Sequence, residues 1–439
     1  MKCGQECGIV INFRLKKAIL ILCLFLGGIV SAQQDTSYKK RVLETAEIDL
    51  FFSYYGQDGQ NAAVTGGVGT EKLTDATSSI IVKIPVNEDD ILTIDAGISA
   101  YTSASSSNVN PFDGDINQNT SPFSASSGAS RKDELTYFNP SYQHSSDNRN
   151  SIYNVKAYVS SEYDYFSIGF GGGYAHLFNE KNTELSINAQ VFFDKWNPQY
   201  PTELRTGFFD FRITGNGTYT PLFTAFENEK RNSYSVSLGF SQILSKKLQA
   251  SLFVDLVQQE GLLSTPFQRV YFGDTENFFI EDFQLADDVE RLPNTRFKIP
   301  IGARLNYYLN DRFILRSYYR FYTDNWGLRS HTANVEVPVK LNDKFTLYPS
   351  YRYYNQTAAD YFFESNRALS TSSFYTSDYD LSAYIAHQYG LGFRYKDIFA
   401  KSKIFNFGLK TIDLRVHKYD RSDGLDAFIV SFGTTFVGN

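Results

Sequence analysis

A chain of 439 residues with formal charge −6, 16% aromatic residues and a mean hydropathy of −0.32 is too polar for a bundle of membrane helices, yet it holds 31 Tyr and 38 Phe. All three Cys (Cys3, Cys7, Cys23) and the only Met lie in the first 32 residues, so a chain processed after them has no disulfide scaffold and no thiolate metal site. Without that stretch, 38 basic against 47 acidic residues leave a charge of −9, which argues against nucleic acid as a partner.

The N-terminus reads as a secretory signal peptide over residues 1–32. Arg14, Lys16 and Lys17 precede the apolar run Ala18 to Val30, and Val30-Ser31-Ala32 supplies a small-residue cleavage site. The run is short for a bilayer span, and no later segment approaches the ~18 apolar residues such a helix needs. A short periplasmic segment, 33–43, then leads into a single domain over 44–439, since no linker or change of composition divides the rest.

From there apolar residues recur at a period of two. Ile48, Leu50, Phe52 and Tyr54 oppose Glu47 and Asp49; Leu92, Ile94, Ala96 and Ile98 oppose Thr93, Asp95 and Ser99. The same alternation runs through 248–256, through 297–309 with Arg304 on the polar face, through 331–341 with Glu336, and through 345–353 with Arg352. One apolar and one charged face admit either sheets packed on a core or a closed barrel with lipid outside and water inside. Most segments reach the ~9–11 residues that a membrane strand needs, beyond the ~5–6 typical of globular sheets.

Connections alternate in kind. Short polar turns at 87–89, 147–150, 180–182, 245–247, 310–311 and 342–343 interleave with long segments at 102–131, 194–232, 260–295 and 357–380. That is the asymmetry of an outer-membrane barrel, with short periplasmic turns and long external loops. The expected fold is all-β: a transmembrane, antiparallel, up-and-down barrel of about sixteen strands, with fourteen the main alternative. Strand starts are expected near 46, 73, 91, 134, 152, 165, 184, 233, 248, 297, 312, 331, 345, 382, 404 and 426. In 404–418 the apolar sets Phe405/Phe407/Leu409 and Ile412/Leu414/Val416 are out of phase, which a β-bulge near Lys410 reconciles. Tyr54-Tyr55, Tyr307-Tyr308, Tyr318-Tyr319 and Tyr353-Tyr354 are expected in interfacial girdles. The last strand, Phe428 to Phe436, has the alternating aromatics of an assembly signal.

The chain resembles a family of outer-membrane proteins from Bacteroidota known as domain of unknown function 3570. The resemblance is carried by Val64-Thr65-Gly66-Gly67-Val68-Gly69-Thr70-Glu71, the stretch Ser99 to Ser107, and Ser127-Gly128-Ala129-Ser130-Arg131. It implies a barrel fold and an outer-membrane location, and no biochemical role.

Charged residues on the inner face are where a channel works on its solutes. The strand phases turn Arg304, Arg316, Arg320, Arg352 and Arg394 inward from the C-terminal half. They turn Asp49, Asp75, Asp95 and Asp255 inward from earlier strands, with Glu336 an acidic exception among the basic set. Such walls would either set up a transverse field that orients polar solutes or close into salt bridges that only stabilise the barrel. Asp274, Glu276, Glu281, Asp282, Asp287, Asp288 and Glu290 crowd the 260–295 loop. Their spacing matches no EF-hand, and Asp113-Gly114-Asp115 is too short for one, so solvated surface charge is the expectation over Ca²⁺. The five His show no metal-binding spacing, and His387 falls alone on the expected lipid face. Gly169-Phe170-Gly171-Gly172-Gly173 lacks the Lys-Ser/Thr of a phosphate loop and reads as close packing within a strand. In the Phe208-Phe209-Asp210-Phe211 loop, the aromatics either bind a partner or pack over the barrel mouth.

The expected function is a channel or envelope-transport component for small polar solutes, without catalytic residues, cofactor or metal. The alternatives are a non-transporting scaffold or partner in an envelope assembly or electron-transfer system, and an outer-membrane enzyme. Expected partners are outer-membrane lipids, barrel-assembly machinery during biogenesis, and an envelope lipoprotein or other protein.

Overall fold

The computed structural model describes residues 41–103 and 130–438. The signal peptide, its cleavage site, the Asp113-Gly114-Asp115 segment and Ser127 to Ala129 lie outside the described residues.

Sixteen antiparallel strands form one sheet that closes on itself. They are β1 (Glu47–Asp58), β2 (Leu73–Pro85), β3 (Asp90–Ser103), β4 (Ser130–Ser145), β5 (Ser151–Ser161), β6 (Tyr165–Phe178), β7 (Thr183–Trp196), β8 (Lys230–Ser245), β9 (Leu248–Gly261), β10 (Thr295–Tyr308), β11 (Ile314–Asp324), β12 (Arg329–Glu336, resuming at Val339–Lys340), β13 (Phe345–Gln356), β14 (Tyr384–Lys396), β15 (Phe407–Arg421) and β16 (Asp426–Gly438). Each pairs with its sequence neighbours, and β16 pairs with β1 in the register Asp49↔Thr435 to Asp58↔Asp426. No strand edge is left, which hydrocarbon requires because it offers the backbone no hydrogen-bond partner.

The two points where alternation falters have separate causes. On β15 the register shifts between Leu409 and Thr411, so the two out-of-phase apolar sets share one face across a bulge at Lys410. On β12 the expected continuous run 331–341 is interrupted, because Pro338 has no N–H to give the ladder; Val337 N–H donates to Pro349 and the Pro338 carbonyl accepts from Ile314.

Short turns between β2–β3, β4–β5, β6–β7, β8–β9, β10–β11 and β12–β13 share one end with the start of β1 and the end of β16. The long connections 59–72, 197–229, 262–294 and 357–383 gather at the other. Leu252, Leu305 and Val335 project from the outer surface, with Leu305 46% exposed. The dry core lies in the long loops instead, where Val270, Phe272, Leu285 and Val289 are buried. In each Tyr-Tyr pair only one ring joins the outer girdle: Tyr54 and Tyr319 face out, while register turns Tyr55 and Tyr318 inward. Two consecutive strand residues cannot share a face, so half of this aromatic excess belongs to the lumen.

Leu305→Arg should therefore destabilise the folded barrel in lipid vesicles by about 2–4 kcal/mol. Asn306→Arg, one residue on and facing the lumen, should cost less than about 1 kcal/mol. Urea titrations read by tryptophan fluorescence compare them; equal effects would mean the faces are assigned wrongly.

Candidate functional site: the lumen and its loop cap

All ten charged residues singled out by strand phase lie on the inner face. Arg304, Arg316 and Arg320 stand on β10 and β11, Glu336 on β12, Arg352 on β13 and Arg394 on β14; Asp49, Asp75, Asp95 and Asp255 stand on β1, β2, β3 and β9. In the half nearer the short turns the basic wall carries its own carboxylates. Arg316 and Arg415 each bond Glu336 at 3.0 Å, while Asp413 accepts from Arg415 at 2.9 Å and from Arg394 at 2.6 Å. The Tyr348 ring lies 5.1 Å from the guanidinium carbons of Arg394 and Arg415 and 5.9 Å from that of Arg316. Five adjacent strands are thus laced by one network, of the kind whose members support each other when all are satisfied. On the strands that follow around the ring, Asp49 accepts from Lys83 at 3.0 Å and from Thr435 at 2.6 Å, and Asp75 accepts from Ser99 and Thr77.

Of the ten, Arg304, Arg320, Arg352 and Asp255 have no ion-pair partner among the described residues, while Asp95 shares a hydrogen bond with Tyr137. Arg304 lies over the rings of Phe253 and Tyr318. Arg320 and Arg352 border a cavity of about 840 Å³ in the loop half of the lumen, with Tyr322, Tyr354 and Tyr419 on its walls. From above, Gln268 and Asp378 of two long loops complete it.

The lid of this cavity is a compact cap. Arg269, 1% exposed, donates to both oxygens of Glu203 at 2.6 and 3.2 Å and to the Val64 carbonyl at 2.8 Å. One buried guanidinium thereby ties the loops 59–72, 197–229 and 262–294. Around it, Leu204 packs with Tyr271, Ala286 and Val289, and Val270 and Phe272 pack with Ala368 and Tyr375 of the fourth loop. Phe208 joins a third cluster with Phe278, Ile280, Phe283 and Leu285, while Phe209 and Phe211 stay exposed. Gln356 and Arg421 at the barrel rim bond the carbonyls of Asp380 and Tyr379, fastening the cap to the wall.

The acidic loop corrects the expectation of solvated charge. Asp287 accepts from Phe272 N–H at 2.8 Å, and Asp288 accepts from Arg291 and, at 2.6 Å, from the Tyr375 hydroxyl. Glu290 accepts from Thr265 N–H at 2.7 Å and from the Thr376 hydroxyl. These three carboxylates are buried pins between loops, because a loop-built core must pair the backbone and hydroxyl donors it buries. Glu276, Glu281 and Asp282 face solvent. Burial, and then the charge of Asp378, pushes the Glu290 carboxyl up to about 8; burial and Asp380 push Asp378 up to about 6.

Residues 17–424 match the family described as "Protein of unknown function (DUF3570)". The chain belongs to this family. Among solved structures, this DUF3570 member is similar to a "Bacterial polysaccharide outer membrane secretin" (11% identity over 91% of this chain and 100% of that chain, TM-score 0.44). It is also similar to a BenF-like porin from Pseudomonas fluorescens Pf-5 (9% identity, 90% and 99%, TM-score 0.39) and to OccK2 (OpdF) from Pseudomonas aeruginosa in complex with glucuronate (8% identity, 92% and 100%, TM-score 0.39). No curated protein sequence matches it.

The Val64-Thr65-Gly66-Gly67 stretch of this DUF3570 chain is the part of the first loop that enters the cap. Gly66 has φ +74°, and a Cβ there would stand 2.4 Å from the Tyr271 ring, so both backbone and packing demand glycine. In β6, Gly169 and Gly173 likewise make room, for Phe192 and Asn188, on the lumen face. The outward histidines sit among tyrosines: Tyr351 meets His387 Nδ1 at 2.8 Å and Tyr319 meets His331 Nδ1 at 2.7 Å. Near the short turns, His176 Nδ1 lies 3.1 Å from both the Ser151 and Tyr174 hydroxyls; among the described residues no carboxylate bonds its ring. Arg415 and Asp413 were legible from the apolar run Ile412/Leu414/Val416 that they alternate with. Arg269 and Glu203 had no such signal, being 66 residues apart in aperiodic loops.

Arg269→Met in this DUF3570 protein leaves Glu203 buried and unpaired, and should cost the cap about 3–5 kcal/mol. Limited proteolysis should then cut 197–229 and 262–294 while the barrel keeps its folded, unboiled mobility on gels; a cap that resists cleavage would show the pair to be dispensable. The cap should also loosen with alkalinity. Folded Glu290 holds its proton more tightly than the unfolded carboxyl near 4.5, so its stabilisation is full below that pH and is lost as pH rises through about 8. Hydrogen-exchange protection in 262–294, corrected for intrinsic rates, should fall between pH 5 and 8.5, and Glu290→Gln should flatten the part above pH 7, leaving the share of Asp378.

Proposed function

We propose that this protein is a bacterial outer-membrane channel, or the membrane component of an envelope-transport system, for small polar solutes. The observation that carries this reading is the polar lumen: an outer surface suited to lipid encloses a charged interior with a cavity of about 840 Å³. The short turns, with the start of β1 and the end of β16, face the periplasm, and the capped mouth faces outward. The cap lies over the mouth, and passage widens when the loops around Arg269 part. The tyrosine–histidine contacts on the outer face act as interfacial anchors, and the protein is not an enzyme.

A second reading is favoured by two specific features, the self-paired belt around Tyr348 and the folded cap. A barrel with those features serves equally as a non-transporting scaffold or partner in an envelope assembly. Single-channel recording of the purified protein in planar bilayers separates the two. A channel should give stable current steps that become more frequent in Arg269→Met; silence from both proteins, with correct folding shown by heat-modifiable mobility, favours the scaffold.

A further inference from the structure

We propose that the loop-half cavity is a binding site for a small hydroxylated organic anion, gripped by the guanidinium groups of Arg320 and Arg352. This rests on the reading of the barrel as a conduit and names the solute class that reading leaves open.

Four arginines border the cavity. Arg296 is held by Asp324 at 2.8 Å and stacks 4.2 Å from the Trp326 ring, while Arg421 is held by Asp380 and Asp423 and stacks 3.9 Å from Tyr384. Further down the lumen, Arg316, Arg394 and Arg415 are also matched to carboxylates. Arg320 and Arg352 have no carboxylate partner among the described residues. Among the described residues, the ring over the guanidinium of Arg320 is Tyr322, at 5.8 Å. A guanidinium inside a concave site gains more from an anion than one at an open surface. Its planar fork suits carboxylate or phosphate oxygens, two at a time.

Register sets the two cations on one rung region. Arg320 pairs across to Thr332, Thr332 to Tyr354, and Arg352 lies one lumen-facing step from Tyr354 on the same strand. Their backbones are two strand spacings apart across the sheet and two residues apart along it, ~12 Å, so two long side chains can reach one ligand from neighbouring positions on the wall.

The other end of the cavity asks for a donor. Gln268 hangs from the cap with its Nε2 donating to Asp378 at 3.2 Å, and its Oε1 is buried without a hydrogen-bond partner among the described residues. Gln268 itself lines the cavity, so a small turn of its side chain would bring that oxygen to a ligand hydroxyl. The acidic groups of the cavity, Glu71, Asp378 and Asp380, are also on the cap side, so an anionic group is repelled from the top and drawn down to the arginines. The volume lies within the ~300–1,000 Å³ of small-molecule sites. The arrangement therefore reads a molecule with hydroxyls at the end toward the cap and an oxyanion at the end toward the arginines.

Isothermal titration calorimetry on the full, folded chain in detergent tests this with gluconate, glucose 6-phosphate and glucose. Gluconate or glucose 6-phosphate should bind where glucose does not, and the stronger of the two tells a carboxylate site from a phosphate site. Arg320→Gln/Arg352→Gln should weaken that binding about tenfold or more, and Arg352→Lys less. Gln268→Leu should weaken gluconate while leaving acetate unchanged. Glucose binding as well as gluconate, no anion binding, or an unaffected double variant with native mobility would overturn the proposal. Binding is read without transport, so a silent bilayer with intact anion binding would refute the conduit and keep the site, while current steps with no anion binding would do the reverse.

Discussion

Hydrocarbon offers nothing to a backbone N–H or carbonyl, and every other feature of this protein follows from meeting that constraint with strands. The seam between β1 and β16 meets it last, joining residues nearly four hundred positions apart in one ladder. Once the ring is shut, alternate side chains have only two environments available. Leucines, isoleucines and aromatics go to lipid, and arginines, aspartates, serines and half of the tyrosine pairs go to the lumen.

A barrel of this kind has little dry interior of its own, so a packed core has to be built elsewhere. Here it is built by loops. Three connections that leave the rim at different points meet at Arg269, a fourth packs on the neighbouring Val270 and Phe272, and three small apolar clusters fill the space between them. Burying a guanidinium costs several kcal/mol unless its donors are matched, and the bidentate contact with Glu203 together with the Val64 carbonyl supplies the match. The buried carboxylates of the 262–294 loop do the same for the backbone and hydroxyl donors around them. Such a core specifies a unique loop arrangement more than it adds to barrel stability, since the strands close without it.

Within the lumen the charges fall into two regimes. Near the short turns, three arginines share two carboxylates from adjacent strands around Tyr348, which ties the wall together. Beneath the cap, Arg320 and Arg352 stand without carboxylates among tyrosines. Pairing in one half and its lack in the other, on the same strands, concentrates the positive potential of the lumen in the cavity that the loops enclose.

Legibility in the sequence follows the range of the forces involved. The period-two alternation, the spacing of polar turns and the phase slip near Lys410 are local, and they sufficed for sixteen strands, for the faces of Arg304, Glu336 and Asp255, and for the bulge. The break at Pro338 was also local, yet the apolar alternation running through it masked it. Long-range pairing was not legible: nothing local tells that Glu203 meets Arg269, that Val64 offers its carbonyl to the same guanidinium, or that Asp287, Asp288 and Glu290 are pins instead of surface charge. The sequence by itself determined which residues face lipid and which face water, because a strand's geometry forces that choice two residues at a time. Only the tertiary structure decided which inward charges are neutralised and which are left to a ligand, because that depends on how aperiodic loops from four hairpins meet above the lumen.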